Sequence, residues 1–495
     1  MRNRIAIFSL FLFCFTTIKA QFSETEKIVS GNREDRAEYG TGVDIMDGYA
    51  IVGAPRETFA SGAAYIYEKN GAGEWQLLQT LTAFDPNFGA EYGGTVKISE
   101  ERVIVSAGRA DVDGIFRTGA IYIYENDGSN SWEYTHKIVA SDYAQDDKLG
   151  MNHTTLDFQG DTIVCGAPGD DNWTGSFYIF EKEGGNWIEK QKVLSPNPSA
   201  FDVFGIGVAI YGDYIIAGAS EEDGLRGAAH IYKKDSNGDW SHIQKISASD
   251  GQPQDYFGNS LAFEGEILVV GAYGSNAYSG SAYIFEMDSN GVWNEVQKIE
   301  GTAPIPNAHY SYSMELEGDY LAVGSPHVGT TELGEVHFYK RNSSGVWEMI
   351  QHIQATDIAL DDYFGWCLAL TNNQLIVGAP FEDHDENGEN EIDRAGSAYI
   401  FQDPSILGGG EYIPVSNMFS LFPVPAINAV TLDSGSNTLS EFQIINELGI
   451  RIKQVQGDFT GKTPIDISSL AEGVYILKGT DTKGNSSTQK FIKLK

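Results

Sequence analysis

The chain has 495 residues, with 33 Lys and Arg against 69 Asp and Glu, a formal net charge of −36. A surface this negative repels phosphate backbones and anionic lipids, which argues against nucleic acid as a partner. Three cysteines are too few for a disulfide framework, and a chain this long buries a sizeable core without one.

Residues 1–20, MRNRIAIFSLFLFCFTTIKA, set Arg2 and Arg4 before an apolar run and small Ala20 before Gln21. That order predicts a secretory signal peptide. Phe13 before Cys14 is too bulky for a lipoprotein cleavage site. Removing Arg2, Arg4 and Lys19 leaves 30 basic against 69 acidic residues. No later stretch reaches the roughly 18 apolar residues of a transmembrane helix. Cys165 and Cys367 lie in apolar strand-like runs and are expected as buried thiols.

From residue 21 to 402 one unit recurs. Its markers are the glycine of VVGA-like runs (Gly53, Gly166, Gly218, Gly271, Gly324 and Gly378, with Ser106 in the second copy) and a second glycine before AYIY-like runs (Gly62, Gly119, Gly175, Gly227, Gly280, Gly334, Gly396). Six of the eight tryptophans, Trp75, Trp132, Trp187, Trp240, Trp293 and Trp347, keep the same register. Each complete copy holds four strand signals; in the fifth they are SLAF, ILVVGA, GSAYIF and VWNEVQKI. The second is unbroken apolar, as a strand covered on both faces must be, and the fourth is half polar, as an outer edge must be. Seven such units predict an all-β seven-bladed β-propeller. The seventh copy lacks its fourth strand. Phe22 stands in the tryptophan slot ahead of Ile28 and Gly40, so residues 22–28 are expected to close blade 7 by pairing antiparallel with Gly396–Gln402.

The FG pair, the apolar strand and the GAP tripeptides Gly53-Ala54-Pro55, Gly166-Ala167-Pro168 and Gly378-Ala379-Pro380 resemble the FG-GAP repeat of integrin α-chain propellers and many secreted bacterial proteins. The copies differ: the second has SAG for GAP, and the sixth has Tyr310-Ser311 for FG. Integrin repeats commonly carry an Asp-x-Asp-x-Asp-Gly calcium loop before GAP. Here that connection is a tight hairpin signal such as EGEIL or TNNQL, so the resemblance does not transfer that site.

The connection entering each first strand and the one after GAP are expected on one rim, the better binding face because its loops vary. The longest, FEDHDENGENEIDRAG, alternates Asp383, Asp385 and Asn387 before Gly388 and Glu391, an oxygen spacing suited to calcium. No glutamate stands at the twelfth position, so it is not an EF-hand, and an acidic solvated insertion is the plain alternative. The third loop offers Asp170, Asp171 and Trp173 as a ligand site, with Trp173 a stacking platform for a sugar ring or a packing residue for a neighbouring loop. Asp147, Asp202, Asp255 and Asp362, each two residues before the FG position, either form an acidic arc or hold their own turns. The nine histidines form no catalytic motif, and His230 and His337 stand at the tyrosine position of AYIY.

After Gln402 the repeat stops. Residues 403–416 read as a linker containing GGGEY. Residues 417–495, with LFPVPAINAVTL and GVYILKGTDTKGNSSTQKFIKLK, resemble the type A sorting domain of the Bacteroidota type IX secretion system, an Ig-like β-sandwich. Pro423-Val424-Pro425 stands where that family usually has Pro-Asn-Pro. The resemblance implies export through that secretion machinery to the cell surface or beyond. The expected function is binding or adhesion to an extracellular glycan or protein ligand, without enzymatic activity. The alternative is a polysaccharide-acting lyase or hydrolase on a propeller scaffold.

Overall fold

The computed structural model describes residues 22–403 and 420–493, apart from 47, 127, 129–130, 302–304, 328–332, 372, 423–425, 447–450, 469, 472 and 482–485. The expected signal peptide, the linker beyond Asp403 and Pro423-Val424-Pro425 lie outside the described residues.

Seven four-stranded antiparallel sheets follow one another along the chain. Blade 5 is representative: Leu261–Glu264, Ile267–Ala272, Ser281–Met287 and Trp293–Ile299. First strands of successive blades meet around a ring, and Val43–Met46 of blade 1 meets Leu368–Thr371 of blade 7. The fold is the expected seven-bladed β-propeller. Apolar clusters lie between blades rather than inside them; Ile216 and Ile231 of blade 4, for example, pack with Phe257, Leu268 and Tyr283 of blade 5. A sheet buried on both faces needs the unbroken apolar second strand, and Arg102–Ala107 is buried throughout. Hairpins between first and second strands are tight, as in Glu264↔Ile267 and Thr371↔Gln374.

The repeat signature has a steric cause. A Cβ on Gly53 would lie 1.9 Å from the carbonyl oxygen of Gly93 in the next blade, and one on Gly218 would lie 1.8 Å from that of Gly258. The GAP glycine of one blade therefore packs directly on the FG glycine of the next. Gly378 meets Gly40 in the same way, which closes the ring.

Closure uses the strand expected. Ser23–Ile28 pairs antiparallel with Ser397–Gln402, from Ser23↔Gln402 to Ile28↔Ala398. Its register shifts between Glu24 and Glu26, opposite Phe401 and Ile400. Complete blades shift at the matching place, for example between Ile284 and Phe285 in blade 5. Phe22 is buried and packs edge-on to Phe338 at 4.8 Å. Cys165 and Cys367 are buried free thiols, as expected.

The second unit is a β module. Its strands share one hydrogen-bonded sheet in which Ala429–Asn446 pairs with both Arg451–Asp466 and Gly473–Asp481. Its core contains Val430, Leu432, Phe442, Ile444, Leu477 and Phe491.

Candidate functional site

The rim bearing the GAP loops is built by backbone bonds between neighbouring blades. The Val203 N–H donates to Trp173 O at 2.9 Å, and His309 N–H donates to Tyr278 O at 2.9 Å. In both pairs the loop entering one blade is fastened to the GAP loop of the blade before. In blades 1, 3 and 5 that loop contains three successive left-handed non-glycine residues: Thr58–Ala60, Asp171–Trp173 and Asn276–Tyr278. Such a conformation costs about 1–2 kcal/mol per non-glycine residue, so the loop-to-loop bonds must hold it.

The residues expected at the third loop do not converge. Asp170 is buried with Oδ2 2.6 Å from Lys192 Nζ, whereas Asp171 is exposed. Trp173 is half-buried with the Lys148 ammonium 3.8 Å from its ring centre, a cation–π contact that occupies one face. Asp147, Asp202, Asp255 and Asp362 hold their own turns. Each accepts the N–H of the residue three before it, at 2.5, 2.8, 2.7 and 2.6 Å respectively.

The seventh loop is held by protein donors. Asp385 Oδ1 accepts from the N–H groups of Asn387 and Glu389, both at 2.9 Å, and Oδ2 from Asn390 Nδ2 at 2.5 Å. Asp383 Oδ1 accepts from Arg394 N–H at 2.7 Å, while Glu391 is exposed. Arg33, from the other end of the propeller chain, donates to Asp383 O at 2.6 Å and Asn390 O at 2.7 Å. The carboxylates of Asp383, Asp385 and Glu391 are not gathered round one point.

Two features of the rim escape the sequence reading. The five most exposed large apolar side chains of the described residues, Phe88 (80%), Phe59 (79%), Phe201, Leu360 and Phe84, all lie in rim loops. Nearer the ring centre, half-buried aromatics run across blades 5 to 7. Tyr256 stacks on Tyr273 at 5.2 Å, and Tyr273 leads to Tyr312 at 5.9 Å; Tyr312 leads to Trp366 at 4.7 Å. Tyr363 meets His327 at 4.1 Å and Phe381 at 4.5 Å. The corresponding positions of blades 1 and 2 carry charge: Arg56 lies 3.0 Å from Glu38 and 3.7 Å from Glu91, and Arg109 lies 3.1 Å from Glu91. The signal was available as the residues just before and just after FG and those following GA. It becomes a pattern only when the blades are read side by side.

Below this rim the first strands line a polar channel. Asp44, Lys97, Asp157 and Glu315 take equivalent places in blades 1, 2, 3 and 6. Burial would depress the Lys97 ammonium, but Asp44, Glu315 and Asp157 outweigh it and raise its pKa. Burial also pushes Glu315 up to about 8, opposed by the Lys97 ammonium. His153 joins channel to rim, lining the one and packing on Tyr312 at 5.5 Å.

Six segments match the FG-GAP repeat: residues 22–67, 75–124, 132–180, 187–232, 240–285 and 347–401. The chain belongs to the FG-GAP repeat family. The first matched segment joins the closing strand of blade 7 to three strands of blade 1, so the sequence repeat of this FG-GAP protein runs one strand ahead of its blades. Residues 286–346, which hold the outer strand of blade 5 and three strands of blade 6, fall outside the matched segments. Residues 420–494 match a secretion system C-terminal sorting domain, which indicates a secreted or outer-surface protein that engages secretion machinery. The chain is 24% identical over 265 residues to Integrin alpha-3 of Cricetulus griseus, covering 48% of this chain and about a quarter (24%) of that protein's length. Among solved structures, a Lactobacillus plantarum protein aligns with a TM-score of 0.47 and 11% identity, covering 71% of this chain and 99% of that one. No helix among the described residues is long and apolar enough to cross a membrane.

Proposed function

We propose that this FG-GAP protein is a binding or adhesion module whose GAP-loop rim captures an extracellular glycan or protein ligand. One observation carries the reading: the five most exposed large apolar side chains all stand on that rim. Exposed apolar groups gathered on one face mark an interaction surface. The neighbouring Tyr, His and Trp faces suit stacking on sugar rings or protein side chains, and the Arg56–Glu38–Glu91–Arg109 network offers polar anchors beside them.

The test is retention of the purified propeller on panels of polysaccharides and extracellular proteins, alongside the double variant Phe59→Ser, Phe88→Ser. Retention that the variant loses by at least about tenfold, with an unchanged melting temperature, supports rim binding. New reducing ends or unsaturated products would instead support a polysaccharide-acting enzyme. Retention unaltered in the variant would move the ligand elsewhere.

A further inference from the structure

Five blades share a cation that blade 6 lacks. In blades 2, 3, 5 and 7 a third-strand tyrosine stands opposite a lysine of the outer strand: Tyr122↔Lys137, Tyr178↔Lys192, Tyr283↔Lys298 and Tyr399↔Lys27. Blade 4 keeps the lysine with histidine in the tyrosine place, His230↔Lys245. Each ammonium sits on a carboxylate: Lys137 on Asp85 at 2.7 Å, Lys192 on Asp170 at 2.6 Å, Lys245 on Glu222 at 2.6 Å, Lys298 on Asp250 at 2.8 Å and Lys27 on Asp357 at 2.7 Å. Blade 1 has Thr80 there and satisfies Glu57 with the Tyr65 hydroxyl and the Asn32 amide.

Blade 6 replaces both partners with histidine. His337 stands opposite His352, and Glu335 precedes His337 by two residues on the same strand face. Glu335 Oε1 lies 3.2 Å from His337 Nε2, and Oε2 lies 3.5 Å from His352 Nδ1. The three ligand atoms fall within 4.8 Å of one another, and among the described residues this is the group of its kind. His337 is 1% exposed, yet neither ring nitrogen makes a hydrogen bond. Unpaired buried imidazole is costly unless something else takes its lone pair.

We propose that Glu335, His337 and His352 hold a divalent transition-metal ion, zinc by the donor set, in the place that lysine occupies in five of the other blades. Two imidazoles and one carboxylate are a three-ligand zinc set, with a fourth position left for water. Ligand atoms about 2.0–2.2 Å from a tetrahedral ion stand roughly 3.2–3.6 Å apart, which the two distances here already approach. A small cavity bounded by Tyr310, Ser325, Glu335 and His337 gives the fourth position room. The ladder between Glu335–Arg341 and Trp347–Ile353 fixes both histidines, so binding needs little rearrangement. The ion would tie the third strand to the outer strand, as the lysine bridges do elsewhere.

The test is calorimetric titration of the tag-free full-length chain with Zn²⁺, and separately with Ca²⁺, on wild type and His352→Lys. This substitution introduces the residue that five of the other blades use, so the fold is expected to survive it. The expected result is one Zn²⁺ per chain, no Ca²⁺ at this site, and at least about tenfold weaker Zn²⁺ binding in the variant. A Zn²⁺-dependent rise in melting temperature should accompany binding in wild type alone. No Zn²⁺ binding at about 100 μM, or equal binding in the variant, overturns the proposal. Should His352→Lys fail to fold, His337→Tyr read by the same titration decides between these outcomes.

Discussion

The side-chain amide of Gln351 clasps the backbone of Phe22: Nε2 donates to Phe22 O at 2.7 Å, and Oε1 accepts from Phe22 N–H at 2.8 Å. The same clasp joins Gln79 to Trp132, Gln191 to Trp240, Gln244 to Trp293 and Gln297 to Trp347. In these five blades the outer strand thus fastens the start of the next, and Phe22 is held as a tryptophan would be; blade 2 has His136 in the glutamine place. In blade 7 the glutamine place falls to Glu26, whose carboxylate accepts from Trp75 N–H at 3.1 Å.

Closure can be weakened in graded steps. Phe22→Ala should cost about 3–5 kcal/mol through lost burial and the cavity left against Phe338. Gln351→Ala should cost about 1–3 kcal/mol, since it strands the Phe22 N–H, whereas Gln351→Glu keeps the acceptor and should cost less. Denaturant melts give the order. Deleting residues 21–30 should bring early proteolysis to blades 1 and 7, and unchanged protection there would refute closure by this strand.

Stability should fall between about pH 4 and pH 6 at two rim turns. Burial, partly opposed by a backbone N–H, pushes Asp147 and Asp362 up to about 6. A carboxyl whose folded pKa is raised favours the native state below its unfolded pKa, and that advantage disappears as pH rises through about 6. Asp362→Asn keeps an acceptor for Ala359 N–H but cannot ionise. Its melting temperature relative to wild type should therefore be higher at pH 7 than at pH 4. A pH-independent difference would mean Asp362 carries no raised pKa.

The seventh loop separates calcium from protein hydrogen bonding. Asp385 serves Asn387, Glu389 and Asn390, so Asp385→Ala should lower the melting temperature equally in EDTA and in calcium. A calcium-dependent rise in wild type that this variant loses would instead assign an ion to Asp383, Asp385, Asn387 and Glu391.

The C-terminal module should govern export and not folding. Without residues 417–495 the propeller should keep its melting transition yet remain in the periplasm, as read by fractionation. Normal surface delivery of the truncated chain would exclude a sorting role for the module.

Much of this architecture is local enough to be written in one stretch of chain. Seven copies, four strands each and the place of the missing strand follow from glycine, tryptophan and apolar spacing, because tight hairpins and inter-blade glycine contacts demand those residues at fixed offsets. The roles of rim side chains do not follow from spacing. Asp383 and Asp385 alternate like calcium ligands, but Arg33, some 350 residues away in sequence, claims the loop's carbonyls once the ring closes. Asp170 turns inward because Lys192 on the outer strand lies 2.6 Å away. The aromatic arc of Tyr256, Tyr312 and Trp366 draws its members from three blades, each about 55 residues from the next. Local sequence set the blades because backbone sterics act within a strand and its turns. Which side chains meet on the rim was decided only by the closed ring, which brings those distant residues within contact range.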